Sequence, residues 1–147
     1  MQTYRFYHAI EIRYGDLDPQ GHVNNARYLT FMEQARLAYF QHLELWQGGS
    51  FLDLSVILAN IDINFETPIF WGQPVRVGVR IARLGNKSMK CIQRIENSQT
   101  GTCFAEGSSV LVAYDYHQSE TIPIPDSWRQ TIASFEPISP HQEDNDT

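Results

Sequence analysis

Between Asn24 and Leu43, Tyr28, Met32, Ala35, Tyr39 and His42 recur on one stripe, with Phe31 and Ala38 beside them. That is the period of a helix with one apolar face. Asn24 or Asn25 suits the N-cap, and Gly48-Gly49 comes soon after the end. Twenty residues make a helix roughly 30 Å long. The segment is more apolar than a surface helix needs, so a wide partner must bury it.

The flanking sequence supplies that partner as strands. Residues 4 to 14 alternate, with Tyr4, Phe6, His8, Ile10, Ile12 and Tyr14 on one side. Ser55 to Phe65 reads as a second strand, ended by Pro68, Gly72 and Pro74. Val75, Val77, Val79 and Ile81 alternate in a third, Gly85-Asn86 turns into Lys87–Glu96, and Asn97–Gly101 turns into Thr102–Asp115. One long helix and a mostly antiparallel sheet make an α+β domain. The concave face of that sheet is the surface large enough to take the helix. From Gln118 onward the chain is polar and Pro-rich, so residues 1–128 read as the domain and 129–147 as a polar C-terminal tail.

At 147 residues, with 42% hydrophobic and 19% charged, the chain fits one globular domain. No apolar run reaches the roughly 20 residues of a membrane helix, and the N-terminus alternates where a signal peptide would be continuously apolar. The expected compartment is the cytoplasm. Cys91 and Cys103 form no C-x-x-C pair and read as reduced packing residues. A net charge of −6 argues against nucleic acid as a partner. Yet six of the eleven basic residues (Arg76, Arg80, Arg83, Lys87, Lys90, Arg94) fall between positions 76 and 94, a window without Asp or Glu. Such a segment suits a small polyanion such as a nucleotide-bearing cofactor; it equally suits strand edges that carry cations to resist aggregation.

Just ahead of the helix, "YGDLDPQGHVNNAR" gathers polar groups into a dozen residues. As a calcium loop counted from Asp16 it fails, because Gln20 and Arg27 stand at the fifth and twelfth positions and a strand precedes it. "GNKS" (Gly85–Ser88) lacks the earlier Gly and the following helix of a phosphate-binding loop. A third reading is catalysis at a helix N-terminus. The first-turn N–H groups lack intrahelical partners and can stabilise an oxyanion, while Asp18 could activate water or attack directly. An ordinary Asp-Pro turn before a helix is the bland alternative.

This stretch, Tyr14 to Arg36, resembles the N-terminal motif of hot-dog-fold acyl thioesterases of the 4-hydroxybenzoyl-CoA thioesterase-like family. The resemblance continues through "INFETPIFWGQPVRV", "RLGNKSMKCIQRIENSQTGTCFAEGSSVLVAYD" and "IPIP", covering roughly residues 4 to 128. It implies a long central helix wrapped by a five- to six-stranded antiparallel sheet. It also implies homo-oligomers, dimers joined edge to edge and often tetramers, with active sites at the dimer interface. Carried over by position, Asp18 is the catalytic carboxylate, and the backbone N–H of Asn25, with Asn24 beside it, holds the thioester carbonyl. One bacterial branch has a Tyr four residues before that Asp, matched by Tyr14, and a His seven after it, where Asn25 stands here. Plant acyl-carrier-protein thioesterases have His four residues after the Asp, then V-N-N, matched by His22, Val23, Asn24 and Asn25; His22 either assists Asp18 or is a hydrogen-bonded loop histidine. In CoA-using members the loop near "RLGNKS" approaches the nucleotide, which marks Arg83, Lys87 and Ser88 as phosphate contacts. Tyr28, Phe31 and Met32 could line an acyl pocket or simply the core.

The expected activity is hydrolysis of an acyl-CoA to a free acid and CoA, with neither metal nor cofactor beyond the substrate. An acyl-carrier protein as the acyl donor, or non-catalytic acyl-CoA binding, are the alternatives.

Overall fold

The computed structural model of the chain describes residues 4–142. Five main strands, β1 (Phe6–Ile10), β2 (Val56–Phe65), β3 (Val75–Leu84), β4 (Ser88–Asn97) and β5 (Cys103–Asp115), lie in the order β1-β3-β4-β5-β2. Every pairing among them is antiparallel. The helix α1 (Asn25–His42) packs on one face, with its ends within a residue of those the sequence predicts. Asn24 caps it, its side-chain oxygen accepting from the N–H of Ala26 at 2.9 Å.

The inward residues of β3 and β4, including Val77, Val79, Ile81, Met89, Cys91 and Ile95, form one core with α1. Gly107 on β5 leaves room for the end of the Met32 side chain. A Cβ there would lie 2.9 Å from Met32 Cε and 3.0 Å from the Asp62 carbonyl. Gln93 spans the same gap, its Nε2 donating to the Met32 carbonyl at 2.8 Å. The buried face of α1 is broader than the predicted stripe. Arg36 and Phe40 are inside, Ala38 is half-buried and His42 is exposed. Arg36 reaches Gln93 on β4, and the Phe40 ring lies 5.9 Å from that of Trp128 in the C-terminal segment.

Three features differ from the sequence reading. The first strand ends at Ile10. The Asp16 carboxylate accepts the Arg13 N–H at 2.8 Å and closes a short 3₁₀ turn over Tyr14–Asp16, which diverts the backbone from the extended path. The division expected at residue 128 falls inside a second helix, α2 (Asp126–Phe135), which buries Trp128 and Ile132. Third, the two-residue strands β6 (Glu120–Thr121) and β7 (His141–Gln142) join β5 and β3, and β7 runs parallel. The described residues therefore form seven strands, not all antiparallel. The last five residues of the expected tail lie outside the described residues. Among those described, no helix is long and apolar enough to cross a membrane.

The C-terminal segment is anchored through Glu136, a buried carboxyl that accepts from Tyr39 Oη at 2.6 Å and from the Ile81 N–H at 3.1 Å. Burial pushes its pKa up, opposed by those two bonds and by Arg80 and Arg5. A carboxyl with a raised folded pKa stabilises the fold fully below its unfolded pKa and loses that contribution as pH rises through the folded one. Urea unfolding should therefore show wild type losing stability relative to Glu136→Gln, which keeps an acceptor, between about pH 4 and neutrality. Glu136→Ala, which strands two buried donors, should cost about 1–3 kcal/mol at any pH in that range.

Candidate active site

The loop from Leu17 to Val23 is a tight hairpin. Leu17 bridges Val23, the Asp18 N–H donates to the His22 carbonyl at 2.9 Å, and Gly21 takes the positive φ of +86° that the turn requires. Two backbone bonds fix the hairpin to the body. The Val23 N–H donates to Ile69 O and the Asn24 N–H to Asp16 O, both at 2.8 Å. His22 also bridges Phe70 and meets its ring edge-on at 6.0 Å.

Within this frame Asp18 is half-buried. Its Oδ1 accepts the Gln20 N–H at 2.9 Å, and its Oδ2 lies 3.2 Å from His22 Nδ1. Asp16 is directed elsewhere, to the Arg13 N–H and to Arg27 Nε at 3.6 Å, so it serves the turn. The N–H groups of Ala26 and Arg27 are both satisfied by Asn24, through its side chain and its carbonyl. The N–H of Asn25 has no acceptor among the described residues and is the free donor at the positive end of α1. Capping therefore leaves one N–H, at Asn25, and Asp18 on the loop that leads into it.

The other expected site residues are placed differently. Tyr14 opens the 3₁₀ turn with its side chain 85% exposed, and it makes no hydrogen bond or ring contact with Asp18. Tyr28, Phe31 and Met32 are buried in the core. Burial raises the Tyr28 pKa, while a hydrogen bond with the Ile69 backbone opposes the rise. Arg83, Lys87 and Ser88 lie at the far end of β3 and β4. Ile10 pairs Val75 at one end of β3, and Leu84 pairs Met89 at the other, about 30 Å away at a strand's rise per residue. One chain does not bring these three to Asp18. The C-terminal segment also holds their turn: Lys87 Nζ lies 3.4 Å from Thr121 Oγ1, Ile124 N–H donates to Asn86 O, and Arg129 donates to the carbonyls of Gly85 and Asn86.

Sequence reasoning missed Phe70, Gln73 and Arg36. Gln73 Oε1 accepts the Phe70 N–H at 2.8 Å and shapes the turn that receives His22. The signal available was an aromatic pair, Phe70-Trp71, set between Pro68 and Gly72.

A long helix held in a curled antiparallel sheet is the hot-dog fold. The chain belongs to the Thioesterase-like superfamily, whose family model matches residues 12–132. It is a thioester hydrolase. It is 26% identical over 123 residues to the long-chain acyl-CoA thioesterase FadM of Escherichia coli K12, spanning 84% of this chain and 93% of that one. Among solved structures it resembles a thioesterase of Thermus thermophilus complexed with coenzyme A and zinc. That protein is 32% identical with a TM-score of 0.81, over 92% of this chain and 97% of the other. The PA5185 protein of Pseudomonas aeruginosa PAO1 is 28% identical with a TM-score of 0.79, over 95% and 96%.

Replacing Asn24 by Ala removes the cap, and denaturant unfolding should show a loss of about 1 kcal/mol. Asn24→Asp or Asn24→Ser should restore most of it, because either side chain can accept the same N–H.

Proposed function

We propose that the chain hydrolyses acyl-CoA at Asp18, with the thioester carbonyl held by the Asn25 N–H. The observation that carries this reading is the free first-turn donor of α1, on the helix that follows a loop carrying Asp18, whose Oδ1 accepts the Gln20 N–H and whose Oδ2 lies 3.2 Å from His22 Nδ1. Asp18 acts as a base on water. Water loses a proton to Asp18 and adds to the carbonyl carbon, and the Asn25 N–H stabilises the oxyanion. The C–S bond then breaks, and the proton on Asp18 goes to the leaving thiolate, giving free acid and CoA. His22 Nδ1, 3.2 Å from Asp18 Oδ2, sits beside the carboxylate. Asn24 contributes through the cap.

The working unit is a homodimer joined along β2, in the cytoplasm where CoA substrates are found. Support comes from β2 itself, a ten-residue edge strand paired on one side to β5, with Ile57, Leu58 and Phe65 exposed. Long apolar edges are normally covered. Antiparallel pairing of two β2 edges reverses one sheet relative to the other. The partner's β3–β4 turn would then lie at the end that carries Asp18, where Arg83, Lys87 and Ser88 could meet the CoA phosphates.

In a thiol-release assay over a panel of acyl-CoAs, Asp18→Asn should lower kcat at least about 100-fold while remaining folded; wild-type turnover by this variant on the best substrate would remove Asp18 from the mechanism. In a single turnover in ¹⁸O water, label should enter the product acid directly, and label found in Asp18 would point to nucleophilic attack. Lys87→Glu should raise KM several-fold with little change in kcat, and the effect should shrink as salt rises.

A further inference from the structure

Arg36 is 7% exposed, yet its guanidinium has no carboxylate within ion-pair reach among the described residues. Its one hydrogen bond there runs from Nη1 to Gln93 Oε1 at 3.0 Å, a neutral acceptor. A buried cation so thinly partnered is costly unless something else meets its remaining N–H groups. Desolvation lowers its pKa, an effect that Cys91 and Glu33 oppose.

Those donors border a cavity of about 670 Å³ between α1, the segment from Phe51 to Leu58 and β5. That is the size of a small-molecule site. Leu37, Phe40, Leu54 and Leu111 make its wall apolar, and Glu33, exposed at the rim, is not in ion-pair contact with Arg36. Asn25, Leu29, Arg36 and Phe40 follow one another at intervals of four, seven and four, so they share a face of α1. Eleven residues separate the Asn25 N–H from Arg36, about 16 Å along the axis. An extended chain of roughly twelve carbons spans that length.

We propose that this cavity receives the distal part of the acyl group whose thioester lies at Asn25, and that Arg36 selects chains ending in a carboxylate. The inference rests on the thioesterase reading above. A guanidinium in an apolar wall gives such a terminus charge-assisted, two-pronged hydrogen bonds that a methyl terminus cannot use.

The test compares kcat/KM for the mono-CoA thioester of dodecanedioic acid with that for dodecanoyl-CoA. Wild type should favour the dicarboxylic substrate by about tenfold or more. Arg36→Met should bring that ratio to one or below, and Arg36→Lys should keep part of it. A wild-type ratio of one or less, or a ratio that Arg36→Met leaves unchanged, overturns the proposal. Should Arg36→Met fail to fold, the wild-type and Arg36→Lys ratios decide. Absence of thiol release from both substrates would count against the thioesterase reading itself. The cavity is then judged by calorimetric titration with dodecanedioic acid, where binding weakened by Arg36→Lys supports it and no binding by wild type overturns it.

Discussion

The rest of the structure depends on the seat of α1 on the sheet, tied by the buried bond from Gln93 to the Met32 carbonyl. Gly107 leaves room there for the end of the Met32 side chain. A helix held there cannot slide along its axis without opening a gap in the core or burying an unpaired amide. Its N-terminus is therefore fixed in space, and a fixed N-terminus is what an oxyanion site needs. Electrostatic stabilisation acts through donors placed before the reaction begins.

Around that point the loop from Leu17 to Val23 is positioned chiefly by backbone bonds. The clamps at Asp16 and Ile69 are main-chain bonds, and the Asp18 side chain adds one bond within the loop, to the Gln20 N–H. Asn24 satisfies two first-turn donors and leaves the third, at Asn25, without an acceptor among the described residues. The two aspartates, two residues apart, divide the labour. Asp16 closes a turn, and Asp18, on the other side of Leu17, faces His22.

Much of this was legible because it is local. Helix and strand ends follow from periodicity and breakers within a few residues, and the cap, the Asp-Pro turn and the histidine are contiguous in sequence. What failed depends on distance or on a wider surface. The stripe ending at His42 missed Arg36 and Phe40, because their partners, Gln93 on β4 and Trp128 on α2, leave no mark in the helix's own period. The C-terminal helix was hidden by its polar, Pro-rich surroundings; Trp128 and Ile132, four residues apart, were the sign of a short buried face. Tyr14 fell off the strand because one carboxylate, Asp16, captured a backbone N–H. Arg83, Lys87 and Ser88 are neighbours of one another, as their spacing implies, but their place at the end of the sheet far from Asp18 depends on strand order, which local spacing does not reveal.

The central claim is that the thioester carbonyl lies on the Asn25 N–H with Asp18 beside it. A crystal structure with an acyl-CoA analogue carrying CH₂ in place of the thioester sulfur measures this directly. The account predicts the ketone oxygen about 2.9 Å from the Asn25 nitrogen, with an Asp18 oxygen within hydrogen-bond reach of a water next to the carbonyl carbon. A ketone oxygen bound to other donors, with Asp18 out of reach of the carbonyl, would contradict it.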